Sequence, residues 1–311
     1  MARIGVMGFG VVGSAVAYGF RKMGHEIYVY DVNAERVKLA ERFGFNAAGI
    51  EDITECEFIF ICVPTPCRQD GSCNLEYVEK AFWDLISTCK KKGNDKGQII
   101  VVKSTVPPGT CERLRNYAID TEVNVHVVSC PEFLREKHAV EDFLNPDRWL
   151  GYVVIGGFEK QAVDKVAELY KDFNAVIVKT EPEVAEMSKY VSNLFHALKI
   201  SFSNEIAKIC ERLSINPKKV MDILRIELNR ATYIDPLLGP FTGKCLPKDL
   251  EQMLALCESV GYDAPLLHAV KEVNERVKEV NERVNHPSLR GRGLSSGDND
   301  AINPHKTRRA G

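Results

Sequence analysis

No apolar run in the 311-residue sequence approaches the roughly 18 residues that a membrane span needs. A transmembrane helix is therefore not expected. There is no excess of charge of either sign. Lys and Arg number 41 against 43 Asp and Glu, and the net charge is −2. No strong field draws the chain to nucleic acid or to an anionic membrane. There is also no C-x-x-C pair. The ten cysteines lie scattered at 56, 62, 67, 73, 89, 111, 130, 210, 245 and 257, so neither a zinc site nor any other metal site is expected. The N-terminus reads as a strand rather than a signal peptide, and the thiols suit a reducing compartment. The expected address is the cytoplasm.

What is present is enough for two domains. An apolar fraction of 45% supports ordinary cores. Arg3-Ile4-Gly5-Val6-Met7 is a short apolar strand. It runs into Gly8-Phe9-Gly10-Val11-Val12-Gly13, and a small-residue helix follows over Ser14–Met23. A G-x-G-x-x-G between strand and helix is where that pattern has a mechanism. Gly8 permits the tight turn, Gly10 lets backbone amides approach a pyrophosphate, and Gly13 lets the helix pack on the sheet. The next strand, Glu26–Tyr30, ends at Asp31. An acid there accepts hydrogen bonds from adenosine ribose hydroxyls and repels a 2′-phosphate, which favours NAD over NADP. Arg36 nearby tempers that preference.

Strand and helix then alternate. Phe58–Val63 is a buried apolar run that stops at Pro64-Thr65-Pro66. A helix spans 75–92, and the strand Gln98–Lys103 ends in Ser104-Thr105-Val106-Pro107-Pro108-Gly109-Thr110. The strand Val123–Ser129 ends in Cys130-Pro131-Glu132-Phe133-Leu134-Arg135-Glu136. Tyr152–Ile155, a helix near 159–173 and Ala175–Lys179 complete the pattern. The fold class is α/β: a doubly wound parallel, Rossmann-type sheet followed by a mainly helical second domain. The expected boundaries are 1–182 for the dinucleotide domain and 183–285 for the helical domain, with 286–311 a disordered tail.

The helical half holds the sharpest chemistry. Residues 183–213 read as one long helix with Lys189, Asn193 and His196 on one face. A helix over 265–284 contains the tandem repeat KEVNERV, and its valines at 270, 273, 277, 280 and 284 alternate at three and four like a coiled-coil seam. Self-association into a homodimer is the expectation. Between these lies Gly243-Lys244-Cys245-Leu246-Pro247-Lys248-Asp249-Leu250. A thiol, whose reference pKa is about 8.5, becomes nucleophilic when it loses its proton. Lys244 and Lys248 favour the thiolate, and a helix starting near Leu246 would add its N-terminal amides. Cys245 and Asp249 would share one face, a turn apart.

These segments together resemble the UDP-glucose/GDP-mannose dehydrogenase family. The carriers are GFGVVG with Asp31, CVPTP at 62–66, KSTVPPGT at 103–110, PEFLRE at 131–136, E-x-x-K-x-x-x-N at 186–193, HALKISFSNE at 196–205 and CLPKDL at 245–250. The resemblance covers roughly residues 1–268. It implies oxidation of the C6 alcohol of a nucleotide sugar, UDP-glucose first among them, to the carboxylate with two NAD molecules. Cys245 would be the nucleophile of a thiohemiacetal and then a thioester. Lys189 and Asn193 would surround the reacting oxygen, and Asp249 would order water or tune Lys189. Glu132 and Glu136 match the family's acidic pair. One would assist water activation and the other would touch cofactor and substrate. Thr65, Thr105 and Lys248 match cofactor contacts, Thr105 also standing beside the chemistry. The substrate set implied is Glu132 to Glu136 (with Phe133, Leu134 and Arg135), Lys189, Asn193, Tyr233 and Gly243. His196 reads as structural.

Two departures stand out. The family usually carries a glycine-rich run before the cysteine; here it reads Gly239-Pro240-Phe241-Thr242-Gly243-Lys244, so the sugar-binding loop is expected to differ in shape. Family members also usually continue into a second α/β domain that binds the nucleotide. Without it, the expectation is NAD binding beside weak sugar-nucleotide binding. Two other readings compete. One is a single-step hydroxyacid dehydrogenase on the same scaffold, which needs no thiol. The other is an NAD-binding subunit that pairs with a longer chain and has little activity alone.

Overall fold

The computed structural model describes residues 1–66, 68, 73–93, 96–135, 138–148, 151–192, 206, 209–210, 212–228 and 261–285. Its chain divides into two units, 1–195 and 196–311.

The first unit is built on eight strands: β1 (Arg3–Met7), β2 (Glu26–Tyr30), β3 (Asn46–Ala47), β4 (Phe58–Ile61), β5 (Gln98–Val102), β6 (Val125–Ser129), β7 (Tyr152–Gly157) and β8 (Val176–Thr180). Between them run α1 (Val11–Lys22), α2 (Ala34–Arg42), α3 (Ile50–Ile53), α4 (Glu76–Lys92), α5 (Thr110–Asp120), α6 (Ala139–Leu144) and α7 (Lys160–Leu169). A further helix, α8, spans 182–192, with Pro182 in its first turn, where a missing N–H costs nothing. The strand order is β3-β2-β1-β4-β5-β6-β7-β8.

The central strands are buried on both faces, which is why they read as unbroken apolar runs. Their side chains alternate between two cores. Ile4, Val6, Phe58, Phe60, Ile99 and Val101 point into one. Met7, Ile59, Ile61, Ile100 and Val102 point into the other. Phe20 of α1 anchors the first core, its ring 5.2 Å from Phe60, 5.4 Å from Phe143 and 5.2 Å from Tyr170.

All pairings are parallel except β6 with β7, where Val128 faces Gly157 and Ser129 faces Gly156. The connection after β6 explains the reversal. It does not run a long helix back along the sheet. Instead the six-residue α6 packs on α1, so closely that a Cβ on Gly19 would lie 2.1 Å from the Phe143 ring. The chain then re-enters from the carboxyl edge of β6. The elements that periodicity did not reveal are β3, α3 and α6, at two, four and six residues too short to show a period.

In the second unit, helical residues at 206, 209–210 and 212 lead to a turn at Ser214, whose φ is +56°. There follow α9 (Pro217–Leu228) and α10 (Pro265–Asn285), the latter carrying the KEVNERV repeat. Ile209, Ala264 and Leu267 form a small core of this unit. The middle of the expected 183–213 helix, the 246–260 helix and the 286–311 tail lie outside the described residues.

Candidate active site

Strand order reverses between β1 and β4. In an open α/β sheet, that places a ligand crevice at their carboxyl ends. Met7 leads out of β1 into the glycine loop, and each glycine there has its own reason. Gly8 has φ +92°, and a Cβ on it would meet the Cys62 carbonyl oxygen at 2.7 Å. A Cβ on Gly13 would stand 1.8 Å from the Gly8 carbonyl oxygen, so α1 can lie against the loop only as glycine. Gly10 is different. A Cβ there meets no protein atom within 4 Å, so open space lies beside it. Gly10 is also the N-cap of α1, which has no side-chain cap and no acidic residue in its first turn. Helix amides at Val11, Val12 and Gly13 thus face a region suited to an anion.

Asp31 ends β2 beside this loop. Its Oδ2 accepts from the Phe9 amide at 2.7 Å, and its Oδ1 from the Asn33 amide at 2.8 Å. The carboxylate is therefore fixed in place, with further lone pairs for ribose hydroxyls. Arg36 lies exposed on the first turn of α2.

Farther along the carboxyl edge, the loops are tied to each other. The Thr65 hydroxyl donates to the Thr105 carbonyl at 2.8 Å, and the Ser104 hydroxyl to the Val63 carbonyl at 2.6 Å. Beyond β6, Glu132 meets Lys189 of α8. Their Oε1 and Nζ are 3.1 Å apart, and the other Glu132 oxygen accepts from the Leu134 amide at 2.6 Å. Lys189 is 6% exposed, with its ammonium 5.6 Å from the Phe133 ring centre. A buried, paired lysine held against a carboxylate can stabilise an oxyanion or pass a proton between its own nitrogen and that carboxylate.

The expected site residues therefore divide. Gly8 to Gly13, Asp31, Thr65, Thr105, Glu132, Phe133 and Lys189 share the carboxyl edge of the first unit. Arg135 turns elsewhere. Its guanidinium grips Asp142 at 2.9 and 2.5 Å, and its amide donates to the same carboxylate at 2.9 Å. That hydrogen bonding holds the Asp142 carboxyl below the usual carboxylate range. Glu136, Asn193, Tyr233, Gly243, Cys245, Lys248 and Asp249 lie outside the described residues, as does His196. Several described thiols are scaffold. Burial pushes Cys56 and Cys62 up to about 12 and Cys89 up to about 11, far from a reactive thiolate.

Two buried charges have roles that the sequence alone does not reveal. Glu186, 1% exposed, accepts from the amides of Gly109 and Cys111 at 2.7 and 2.8 Å, capping α5. Burial raises its carboxyl above the ordinary range, and those amides oppose the rise. Lys103, 3% exposed, donates to the Pro131 carbonyl at 3.3 Å. Both belong to motifs already noted, E-x-x-K and KSTVPPGT. A charged residue at the end of an otherwise apolar strand was the available signal.

The family models settle the kinship. The NAD binding domain of the UDP-glucose/GDP-mannose dehydrogenase family matches residues 39–174, and that family's central domain matches 183–276. The chain belongs to the UDP-glucose/GDP-mannose dehydrogenase family. Its cofactor is NAD, which fits the open face of Gly10, the uncapped α1 and the acid at Asp31. A further model, that of coenzyme F420-dependent NADP oxidoreductases, matches residues 3–70, the span of the glycine loop. UDP-glucose 6-dehydrogenase TuaD of Bacillus subtilis is 33% identical over 302 residues, covering 89% of this chain and 63% of that protein. GDP-mannose 6-dehydrogenase of Pseudomonas aeruginosa is 30% identical over 304 residues, covering 88% and 68%. The chain thus spans about two thirds of these curated relatives. Among solved structures, a ternary complex of GDP-mannose dehydrogenase from Pseudomonas aeruginosa aligns with TM-score 0.83 at 28% identity, covering 92% of this chain and 71% of that one. A UDP-glucose dehydrogenase from Pyrobaculum islandicum aligns with TM-score 0.67 at 34% identity, covering 91% and 71%.

Proposed function

We propose that this protein oxidises the C6 alcohol of a nucleotide sugar, UDP-glucose foremost, to the carboxylate, with NAD as cofactor. The observation that carries the reading is the buried Lys189–Glu132 pair, 3.1 Å apart on the same sheet edge as the glycine loop and Asp31. Bound NAD supplies the hydride acceptor for each oxidation. The protein's own groups do the rest. Gly8 to Gly13 and Asp31 hold the dinucleotide, with Thr65 and Thr105 beside it and Lys248 as a further contact.

At the sugar, the roles beside the reacting oxygen fall to Lys189 and Asn193. As the alcohol gives up its first hydride, a base takes its hydroxyl proton and Lys189 stabilises negative charge on that oxygen; Glu132 keeps the ammonium aimed and accepts a proton from water in the last step. The aldehyde formed first has no hydride it can give up until a nucleophile adds. The Cys245 thiolate adds to its carbon, and the carbonyl oxygen takes a proton to give a thiohemiacetal. Loss of that carbon's hydride, with its hydroxyl proton passing to a base, leaves a thioester. Water attacks it, the C–S bond breaks, and the acid and free thiol return. Asp249 orders the water or tunes Lys189, and Glu136, the other member of the acidic pair, touches cofactor and substrate. The family's sugar contacts match Phe133, Leu134, Tyr233 and Gly243 in sequence.

We also place the protein in the cytoplasm as a homodimer, joined through the helical half. The free cysteines of the described residues, all but Cys73 buried, agree with a reducing compartment. No helix among the described residues is long and apolar enough to cross a membrane. The decisive experiment measures NADH released from UDP-glucose, UDP-N-acetyl sugars and GDP-mannose in turn. Two NADH per sugar with one of them is the expected result. One NADH per substrate would favour a single-step dehydrogenase, and none with any sugar would defeat the proposal.

A further inference from the structure

Lys103 is a buried cation with no carboxylate in ion-pair range among the described residues. Its ammonium reaches the Pro131 carbonyl at 3.3 Å and the Cys130 sulfur at 3.5 Å, and stands 5.7 Å from the Tyr170 ring centre. Burying an ammonium without a counter-charge is costly, and an apolar chain of similar length would fill the space better. The polar head therefore answers some need other than packing.

Its connections show which need. By backbone, Lys103 belongs to the loop after β5. Its amide donates to the Ile61 carbonyl at 2.9 Å, and two residues on, Thr105 accepts from Thr65. By side chain it belongs to the loop after β6, because Pro131 immediately precedes Glu132. Beneath that loop lies a cavity of about 40 Å³ lined by Lys103, Pro131, Glu132, Phe133, Asp142 and Tyr170. Phe133 packs this loop against Val154 and Ala185, and at its other end the Lys103 ammonium is the polar tether at Pro131.

We propose that Lys103 is a positioning residue: it ties the cofactor-side loop at Thr105 to the substrate-side loop, and so sets where Glu132 meets Lys189. The inference rests on the dehydrogenase reading only for its kinetic arm.

Crystal structures of the wild-type chain and of K103M, together with kinetics and calorimetry, test it. In K103M the Glu132–Lys189 separation should open from 3.1 Å to beyond about 4 Å, the limit of an ion pair. K103R, which keeps the donors, should hold it closed. The kcat of K103M should fall about 100-fold, as for a misplacement near 1 Å. NAD affinity should stay within about threefold, because the glycine loop and Asp31 are untouched. Thermal stability should not fall in step with kcat, since no carboxylate among the described residues loses an ion pair with Lys103. An unchanged Glu132–Lys189 distance in K103M overturns the proposal, as does a loss of NAD affinity matching the loss of kcat. If K103M does not fold, K103Q, too short to reach Pro131, is read by the same distance. A wild-type chain that oxidises no nucleotide sugar would defeat the functional reading, and the crystallographic comparison would still decide this one.

Discussion

Cofactor choice should turn on Asp31, and the structure gives the terms. Its two oxygens are held by the Phe9 and Asn33 amides at 2.7 and 2.8 Å, so the carboxylate cannot swing away from an arriving ligand. Hydrogen bonds to a charged acceptor contribute about 1.5–3 kcal/mol each. NADP gives up one ribose hydroxyl and brings a phosphate. Two like charges about 4 Å apart repel by about 4 kcal/mol at an effective dielectric of 20, less with salt. Exposed Arg36 offsets part of that repulsion. The wild-type chain should therefore prefer NAD by at least about 1 kcal/mol, roughly fivefold. D31N keeps the shape, removes the charge and sets an NH₂ against one of the two amides. It should weaken NAD by about tenfold and narrow the gap to NADP to less than about threefold. Calorimetry with both dinucleotides measures this without turnover. Raising salt should shrink the wild-type preference and leave that of D31N nearly flat. Equal wild-type affinity for the two cofactors, or an unchanged ratio in D31N, would refute the reasoning.

Further outcomes are open to direct measurement. C245A should bind NAD normally and release at most one NADH per sugar; two NADH would end the thioester mechanism. K189M leaves Glu132 without its cation and should lower stability by about 2–4 kcal/mol, while the double variant K189M/E132Q should lose less than the two single losses added, as a chemical-denaturation cycle would show. Asp142, held below the usual carboxylate range chiefly by Arg135, contributes stability that is fully present above its unfolded pKa of about 3.9 and is lost as pH falls through the folded value. The stability gap between wild type and D142N should accordingly be constant above about pH 5 and close below about pH 4. Sedimentation at micromolar protein should show a homodimer, and a sharp monomer would count against the valine seam of α10 as an interface.

Much of this was legible because single residues meet local demands. Gly8 needs a positive φ, and Gly13 cannot carry a Cβ; both follow from a strand turning tightly into a helix. The runs 58–63 and 99–102 are apolar throughout because sheet neighbours cover both faces, and a run is readable without knowing the neighbours. Asp31 is readable because its position at the end of β2 defines its job. The roles of Lys103 and Glu186 were not readable in this way. Lys103 acts on a carbonyl 28 residues away, and Glu186 on amides 75 and 77 residues away. A charge in a motif announces chemistry, and only the packed fold says which charges hold the loops. The antiparallel entry of β7 was equally hidden, since it depends on Phe143 fitting over Gly19 rather than on any period within the strand.

The spacing within E-x-x-K now has a physical meaning. Glu186 and Lys189 are three residues apart on α8, about 4.5 Å along its axis and on neighbouring faces. Glu186 is bonded to the amides that open α5, in the loop after β5. Lys189 is paired with Glu132, in the loop after β6. One turn of helix thus spans two adjacent loop ends of a parallel sheet, whose strands lie about 4.8 Å apart. Lys103 makes the same span from below, leaving β5 by its backbone and reaching Pro131 with its side chain. The two loops that would carry cofactor and sugar are therefore joined twice, once through the helix and once through a buried lysine. A change at either tie should be felt at the other loop, even though neither Glu186 nor Lys103 need touch substrate.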